Sequence, residues 1–214
     1  MDLHATRPKT TSRNILWGVG IFVLLCLIVL VEWCVGVRVY RALSPTGTTA
    51  FSSFGAGGSY DTSVGWGVGL NCPAWRGQAE WFLPKLSGKL NKIEVAIRGK
   101  DALSLTTFSV AQDNRGIPGT ILETFERVPC PTRSGDSFPK LTMKSAVHPL
   151  LRAGVKYWVC AEPAEGTTGC SWLYSLNPAN GFAFERSRWS WEFIASGPRS
   201  GAFSVKLTPV VGLQ

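Results

Sequence analysis

Hydrophobic and polar residues alternate along much of the chain beyond residue 50, as in strands with one buried and one solvent-facing side. The clearest case is residues 90–98, where Ile93 and Val95 alternate with Lys92 and Glu94. Similar patterns predict eight further strands: 78–83, 104–112, 120–128, 154–161, 170–176, 182–186, 190–195 and 202–207. Gly and Pro punctuate these segments, so the pattern predicts an all-β sandwich or barrel.

Three segments between the strands carry turn or loop signals. Asn180-Gly181 suits a type I′ hairpin, because both central residues must accept a positive φ. Pro118-Gly119 suits a type II turn, in which Pro fixes the first φ and Gly takes the positive second φ. The Gly-rich residues 55–69 are followed by no helix that could form a phosphate cradle, and we interpret them as a loop and an irregular strand.

An uncharged, almost wholly apolar run, NILWGVGIFVLLCLIVLV, occupies residues 14–31 and continues beyond Glu32. About 20 helical residues cross a hydrocarbon core of about 30 Å, so the run predicts a transmembrane helix over residues 14–37. The run is too long for a cleaved signal peptide, and neither Cys26 nor Cys34 follows the small residues of a lipoprotein signal. We therefore interpret it as an uncleaved signal anchor.

The basic residues beside the anchor predict its orientation. Arg7, Lys9 and Arg13 precede it, whereas Arg38 and Arg41 follow it. Since the cytoplasmic flank carries the excess of Lys and Arg, the N-terminus is expected inside and the C-terminal domain in the periplasm or outside the cell. The expected parts are a cytoplasmic tail (1–13), the anchor (14–37), a linker (38–49) and an extracytoplasmic β-sandwich (50–214).

The chain has 22 Lys and Arg against 14 Asp and Glu, a net charge of +8. The basic residues are scattered rather than gathered into a run or stripe, which argues against nucleic acid as a partner. The partner that the sequence does predict is the membrane, which the single N-terminal span would cross.

Four cysteines lie beyond the anchor, at Cys72, Cys130, Cys160 and Cys170. An even number in an extracytoplasmic domain indicates two disulfides. We favour a bond between Cys160 and Cys170, which leaves Cys72 with Cys130 by default.

A bond between residues 160 and 170 would fix the register of a hairpin. Trp158 would lie opposite Trp172, and Lys156 opposite Tyr174, on the face that carries the disulfide. That face would be a rigid aromatic surface with a cation beside it, suited to stacking on a sugar ring. The alternative is that these Trp side chains fill the space under a loop or a second sheet. A second alternating stripe is interpreted as core: Trp189, Trp191 and Phe193.

Patterns that carry catalytic chemistry are missing from the sequence. It has no H-E-x-x-H, G-x-S-x-G or P-loop, and its only histidines are His4 and His148. We therefore expect neither an enzyme nor a cofactor. Asp113 and Asn114 are weak candidates for a calcium site, but a turn in which they bond their own backbone is the preferred interpretation. No metal site is predicted.

Two motifs carry a resemblance to a known family. Residues 113–122 match a D-x-x-G-x-P-G-x-x-L turn, and residues 151–158 match an L-x-x-G-x-x-Y-W strand entry. With the strand order over residues 50–208, these motifs resemble the bacterial extracellular β-sandwich domains called choice-of-anchor R, found in exported proteins with PEP-CTERM sorting tails. The resemblance implies a jelly-roll-like fold and a role at the cell surface or envelope, without an established activity. The chain departs from that pattern in having no apolar C-terminal anchor before its Val-Gly-Leu-Gln end.

Two functions remain open from the sequence. The first is a binding module at the bacterial cell membrane that recognises a glycan or exopolysaccharide, with Trp158, Trp172 and Tyr174 as stacking surface and Lys156 as polar neighbour. The second is a structural or assembly protein of the envelope, whose β-sandwich contacts a protein partner.

Overall fold

The computed structural model of the chain describes residues 47–69, 77–132, 140–177, 183–186, 191–193 and 200–210. The chain divides into two units, Met1–Pro45 and Thr46–Gln214, and the described residues belong to the second. No helix within the described residues is long and apolar enough to cross a bilayer. The predicted cytoplasmic tail, the predicted anchor and Cys72 all lie outside the described residues.

The described residues form antiparallel strands and one 3-10 turn, Ala56–Gly58, so the predicted all-β class is confirmed. In chain order the strands are β1 (Thr48–Ser52), β2 (Gly65–Val68), β3 (Gly77–Phe82), β4 (Gly88–Val95), β5 (Ile97–Gly99), β6 (Leu105–Asn114), β7 (Ile117–Pro129), β8 (Leu141–Lys144), β9 (Leu150–Leu151), β10 (Tyr157–Pro163), β11 (Cys170–Leu173), β12 (Ala183–Arg186), β13 (Trp191–Phe193) and β14 (Phe203–Pro209).

The strands form three antiparallel sheets. A five-stranded sheet has the order β1-β14-β4-β8, with β9 also paired to β4. A six-stranded sheet has the order β13-β12-β3-β10-β6-β7, and a three-stranded sheet has the order β2-β11-β5. Neighbours in each sheet are mostly distant in sequence, so the topology depends on long-range pairing.

The main core is built from side chains of all three sheets, in a sandwich-like arrangement. Alternate residues of β4 and β14 supply one side, and alternate residues of β3, β6 and β10 supply the other. Its largest fully buried members are Trp172, Phe82, Phe108, Phe203, Leu90, Ile93, Ile97, Leu151 and Leu207. Burying each such side chain contributes on the order of 1.5–3 kcal/mol, which makes this core the main source of stability.

All nine predicted strands are present, but the segment predicted at 90–98 is divided. β4 belongs to the five-stranded sheet and β5 to the three-stranded sheet, with Ala96 between them. The Ala96 N–H donates to Ala202 O, and the Ala96 carbonyl accepts from Leu173 N–H. The chain thus changes sheet without losing its backbone hydrogen bonds.

The type II turn predicted at Pro118-Gly119 is wrong. Both residues lie inside β7, and the turn of the β6–β7 hairpin is formed by Arg115 (φ 56°) and Gly116 (φ 92°). Positive φ at both central residues is the geometry of a type I′ turn, whose twist matches the flanking strands. Pro118 is tolerated because β7 is at the edge of its sheet. The hairpin predicted at Asn180-Gly181 lies outside the described residues.

The Gly-rich segment at 55–69 is a loop and a short strand, as predicted. It contains the 3-10 turn Ala56–Gly58 and then β2, at the edge of the three-stranded sheet.

Candidate functional site

The aromatic hairpin surface predicted from residues 156–174 is not formed. Trp158 is 0% exposed and Trp172 is 1% exposed, so neither indole can stack on a ligand in this conformation. The alternative, that these side chains fill space beneath other parts of the chain, is confirmed.

The predicted hairpin register is wrong because β10 and β11 do not pair with each other. Cys160 lies between Ala79 and Ser109 in the six-stranded sheet. Cys170 lies between Val68 and Gly99 in the three-stranded sheet. The segment between β10 and β11 carries the chain from one sheet to the other, so the structure does not bring Cys160 and Cys170 together.

Trp172 is a core residue. Its ring packs edge-on against Phe108 and Phe203, with centroids 6.2 and 5.8 Å away, and its Nε1 donates to Ala202 O at 3.2 Å. A Cβ on Gly201 would lie 2.5 Å from Trp172 Nε1, so the glycine makes room for the indole. The buried position of Trp172 is therefore explained by packing in the main core.

Tyr174 lies at the end of β11 and pairs with Gly201 through an isolated bridge. Its half-buried ring meets the half-buried Trp66 ring edge-on, with centroids 5.7 Å apart. Tyr174 is thus separated in the fold from Trp158 and Lys156, which lie in or beside the six-stranded sheet.

The six-stranded sheet carries an aromatic cluster on the face turned away from the main core. Trp158 lies opposite Trp81 on β3 and opposite Ala111 on β6, and Cys160 lies opposite Ala79. These residues form a second apolar cluster, against which the half-buried Trp81 and Trp191 pack. We call this side of the sheet, with the half-buried Trp81 and Trp191, the buried Trp158, and the charged Lys156 and Asp113, the Trp81 face.

A network of polar contacts organises this face. Trp158 Nε1 donates to Asp113 Oδ1 at 2.9 Å. Lys156 Nζ lies 3.9 Å from the same oxygen and 5.2 Å from the centroid of the Trp81 ring. Such a cation–π contact stabilises by about 0.5–1 kcal/mol when exposed, and a half-exposed ion pair by about 0–1 kcal/mol. The Lys156 ammonium and the Asp113 carboxylate are therefore close together but stabilise each other only weakly.

The buried Trp158 has a clear positioning role on this face. Its opposite neighbour on β6 is the small Ala111, and the indole reaches Asp113, two residues further along the same side of β6. Because Trp158 is fixed by burial, its hydrogen bond holds the Asp113 carboxylate in place beside the Lys156 ammonium, which in turn lies near the Trp81 ring.

The calcium interpretation of Asp113 and Asn114 is not supported by the contacts. Asp113 Oδ2 accepts from Gly116 N–H at 3.1 Å, which closes the hairpin turn, while Oδ1 is occupied by Trp158. The described residues contain no group of three or more His, Cys, Asp and Glu side chains that could hold a metal ion.

A pocket of about 290 Å³ lies on the three-stranded sheet, and its lining includes four glycines and the basic residues Arg98 and Lys100. Its lining residues are Gly67, Val68, Gly69, Arg98, Gly99, Lys100, Gly169, Cys170 and Ser171.

Glu80 is a buried carboxyl whose pKa is strongly raised. Glu80 shares the core-facing side of β3 with Phe82, is 1% exposed, and accepts from Gly201 N–H at 2.7 Å through Oε1. Burial raises its pKa from the ordinary 4.5 to about 8, and the Gly201 hydrogen bond only partly opposes this shift. Within the part of the chain that the structure describes, Glu80 Oε2 has no hydrogen-bond partner.

Sequence reasoning missed Trp81 as a site residue. Residues 78–83 read QAEWFL, and the strand buries Gln78 and Glu80 with Phe82 in the core while turning Ala79 and Trp81 to the other side. The signal that could have pointed to this face is the set of small residues that surround Trp158. It could not be recognised in the sequence, because strand pairing alone brings these residues together.

Comparison of this chain with protein-family models, with curated proteins and with solved structures finds no match in any of the three.

Proposed function

We propose that this chain is a membrane-anchored extracytoplasmic binding module that recognises a glycan through the Trp81 face. The proposal is carried by one observation: a half-buried Trp81 ring lies beside the Lys156 ammonium, which in turn neighbours the Asp113 carboxylate. A sugar offers an apolar ring face for stacking and hydroxyls at its edge that donate to a carboxylate and accept from an ammonium.

Preorganisation supports the same proposal. Trp158 is fully buried and hydrogen-bonded to Asp113, so the carboxylate is already oriented before a ligand arrives. A site that orders few side chains on binding loses less conformational entropy. This favours a rigid, shallow glycan site.

The exposed aliphatic residues near this face favour a second candidate, contact with a protein partner in the envelope. Ile121 is 59% exposed and lies opposite Ala111, and Leu83 is 42% exposed and directly follows β3. Exposed apolar side chains beside aromatic ones are common in protein interfaces.

The test is binding of the full-length chain to a glycan array, with Trp81→Ala and Trp66→Ala as a matched pair. Both indoles are half-buried, but Trp66 is in the three-stranded sheet. We expect Trp81→Ala to weaken binding about tenfold or more, equivalent to about 1.4 kcal/mol, and Trp66→Ala to leave it unchanged.

Circular dichroism of both variants establishes that they are folded. Equal loss of binding in the two folded variants contradicts the site, and no binding of the wild-type chain to any glycan contradicts the glycan class and favours the protein partner.

The finer features of the architecture are part of the same proposal. We take the sandwich to be jelly-roll-like, related to the choice-of-anchor R domains, and anchored in a bacterial membrane by residues 14–37. We propose no enzymatic activity for it. Retention of the full-length chain in the membrane pellet after alkaline carbonate extraction is the expected result, and its release would contradict the anchor.

A further inference from the structure

The thiols of Cys130 and Cys170 meet in the main core. The Thr106 Oγ1 atom lies 3.1 Å from Cys130 Sγ and 3.1 Å from Cys170 Sγ. One hydroxyl therefore contacts both sulfurs. They are 6% and 5% exposed and belong to one apolar cluster.

The backbone explains why these two residues meet. Cys170 on β11 pairs with Gly99 on β5. Gly99 N–H donates to Pro131 O, which holds the segment after β7 against β5. A Cβ on Gly99 would lie 3.2 Å from Cβ of Cys130, so the glycine leaves room for the Cys130 side chain beside Cys170.

The other described cysteine is separated from this pair by its place in the fold. Cys160 belongs to the cluster of Ala79, Ala111 and Trp158 on the opposite side of the six-stranded sheet. Cys130 and Cys170 belong to the main core on the inner side. The geometry therefore pairs Cys170 with Cys130 rather than with Cys160.

We propose that Cys130 and Cys170 form a disulfide in the mature protein. All three described cysteines are thiols in this structure, so the bond requires oxidation. This inference is independent of the glycan proposal, because neither cysteine belongs to the Trp81 face.

The chemistry is thiol–disulfide exchange with a small-molecule disulfide. The Cys170 thiolate attacks one sulfur of the reagent, forms a mixed disulfide and expels one small thiolate. Cys130 then gives up its proton and attacks the Cys170 sulfur, expelling the second small thiolate. Two protein thiols are oxidised to one disulfide, and one reagent disulfide is reduced to two thiols.

The environment assigns the attacking role to Cys170. It is one of the residues that line the pocket of about 290 Å³, whereas Cys130 is not. The interaction with the Cys130 thiol lowers the pKa of Cys170 against the opposing effect of burial, and the Thr106 hydroxyl lowers it further. Cys130 keeps its proton, because the interaction with Cys170 and burial both raise its pKa. Nucleophilic attack requires a thiolate, so the lower pKa of Cys170 matches this order of steps.

The test is peptide mapping of the full-length chain after equilibration with glutathione disulfide and reduced glutathione. The protein is denatured, remaining thiols are alkylated, and it is cleaved with trypsin and Glu-C without reduction. These enzymes separate these three cysteines into different peptides: 128–133 with Cys130, 157–165 with Cys160, and 166–185 with Cys170.

We expect a linked product of peptides 128–133 and 166–185, with a mass two hydrogens below their sum, and loss of both alkylated single peptides. Cys160→Ser is the matched control and keeps the link, whereas Cys130→Ser loses it. Recovery of Cys130 or Cys170 as an alkylated thiol, or linked to Cys72 or Cys160, overturns the proposal. The wild-type map decides the question even where a variant fails to fold.

Discussion

Glu80 is the side chain whose burial has the clearest consequence for pH dependence. Its raised pKa means that the folded state holds a proton that the unfolded chain releases above about 4.5. Between pH 4.5 and about 8 the folded state binds more protons than the unfolded state, so the free energy of unfolding falls as pH rises. The slope approaches about 1.4 kcal/mol per pH unit for one proton.

Glu80→Gln is expected to remove that slope. The amide oxygen can still accept the Gly201 N–H, but the side chain has no proton to lose. The variant should therefore be more stable than wild type at pH 7.5 and unfold at higher urea. Urea midpoints measured from pH 4.5 to 8 check this.

Glu94→Gln serves as the control of opposite sign. Burial alone raises the pKa of Glu94, but the Lys92 hydrogen bond and the charge of Lys206 lower it overall. The stability from this group is present above its unfolded pKa and is lost as pH falls through its folded pKa, so Glu94→Gln should lose stability at neutral pH. An unchanged slope in Glu80→Gln would contradict the burial argument.

Individual side chains were the least predictable part of this protein. The residue types at four positions suggested a ligand-binding site: Trp158, Trp172, Lys156 and Tyr174. In the structure the two Trp side chains are buried, and the four residues lie in or beside two different sheets. Trp81 contacts Lys156 only because β3 and β10 are neighbours. Such contacts depend on pairings between strands far apart in sequence, which alternation alone does not encode.

The β6–β7 hairpin is the element with the sharpest local requirement. Its turn needs positive φ at Arg115 and Gly116, and Asp113 closes it by accepting Gly116 N–H. Only glycine and, to a lesser degree, Asn and Asp adopt such φ values readily. Arg115 is therefore a strained choice, whereas Gly116 is required.

Gly116→Ala is expected to destabilise the protein by about 1 kcal/mol, and Arg115→Asn to stabilise it slightly. Thermal or urea unfolding of both variants measures the difference. No side chain lies within 4 Å of a Cβ placed on Gly116, so backbone strain is the only cause of the loss. Equal stability of Gly116→Ala and wild type would contradict the turn assignment.

Both motifs behind the family resemblance have local structural explanations. The D-x-x-G portion is the Asp113–Gly116 turn, and in the L-x-x-G-x-x-Y-W portion Gly154 has φ 71°. The Tyr157 hydroxyl accepts from Arg152 N–H at 3.0 Å in the same segment. These motifs specify turns and strand entries, so they predict features of the fold and do not predict which ligand the domain binds.

The division into strands was predictable, but the arrangement of strands into sheets was not. Alternation identified nine strands, whereas β1, β2, β8 and β9 are short or irregular and gave weaker signals. The β10–β11 hairpin failed because the segment between them is long enough to change sheets, although residues 160 and 170 are close in sequence. Short sequence separation favours pairing without requiring it.

The molecule as described is a sandwich-like all-β domain in which one sheet presents an aromatic face away from the core. The inner face of the six-stranded sheet accounts for stability through Phe82, Phe108 and Tyr157. The outer face places the half-buried Trp81 indole beside Lys156, which is paired with Asp113, and core packing does not require this arrangement. This division between the two faces is the basis for assigning ligand binding to the Trp81 face.

Hydroxyl-radical footprinting of the full-length chain, with and without a glycan that it binds, tests that assignment most directly. Oxidation of each indole is quantified by mass spectrometry, and Trp66 serves as the internal control. We predict that the glycan protects Trp81 from oxidation and leaves Trp66 unchanged, because Trp81 lies beside Lys156, the ion-pair partner of Asp113, whereas Trp66 lies in the three-stranded sheet. Protection of Trp66 with continued oxidation of Trp81 would contradict the account and place the ligand on the three-stranded sheet.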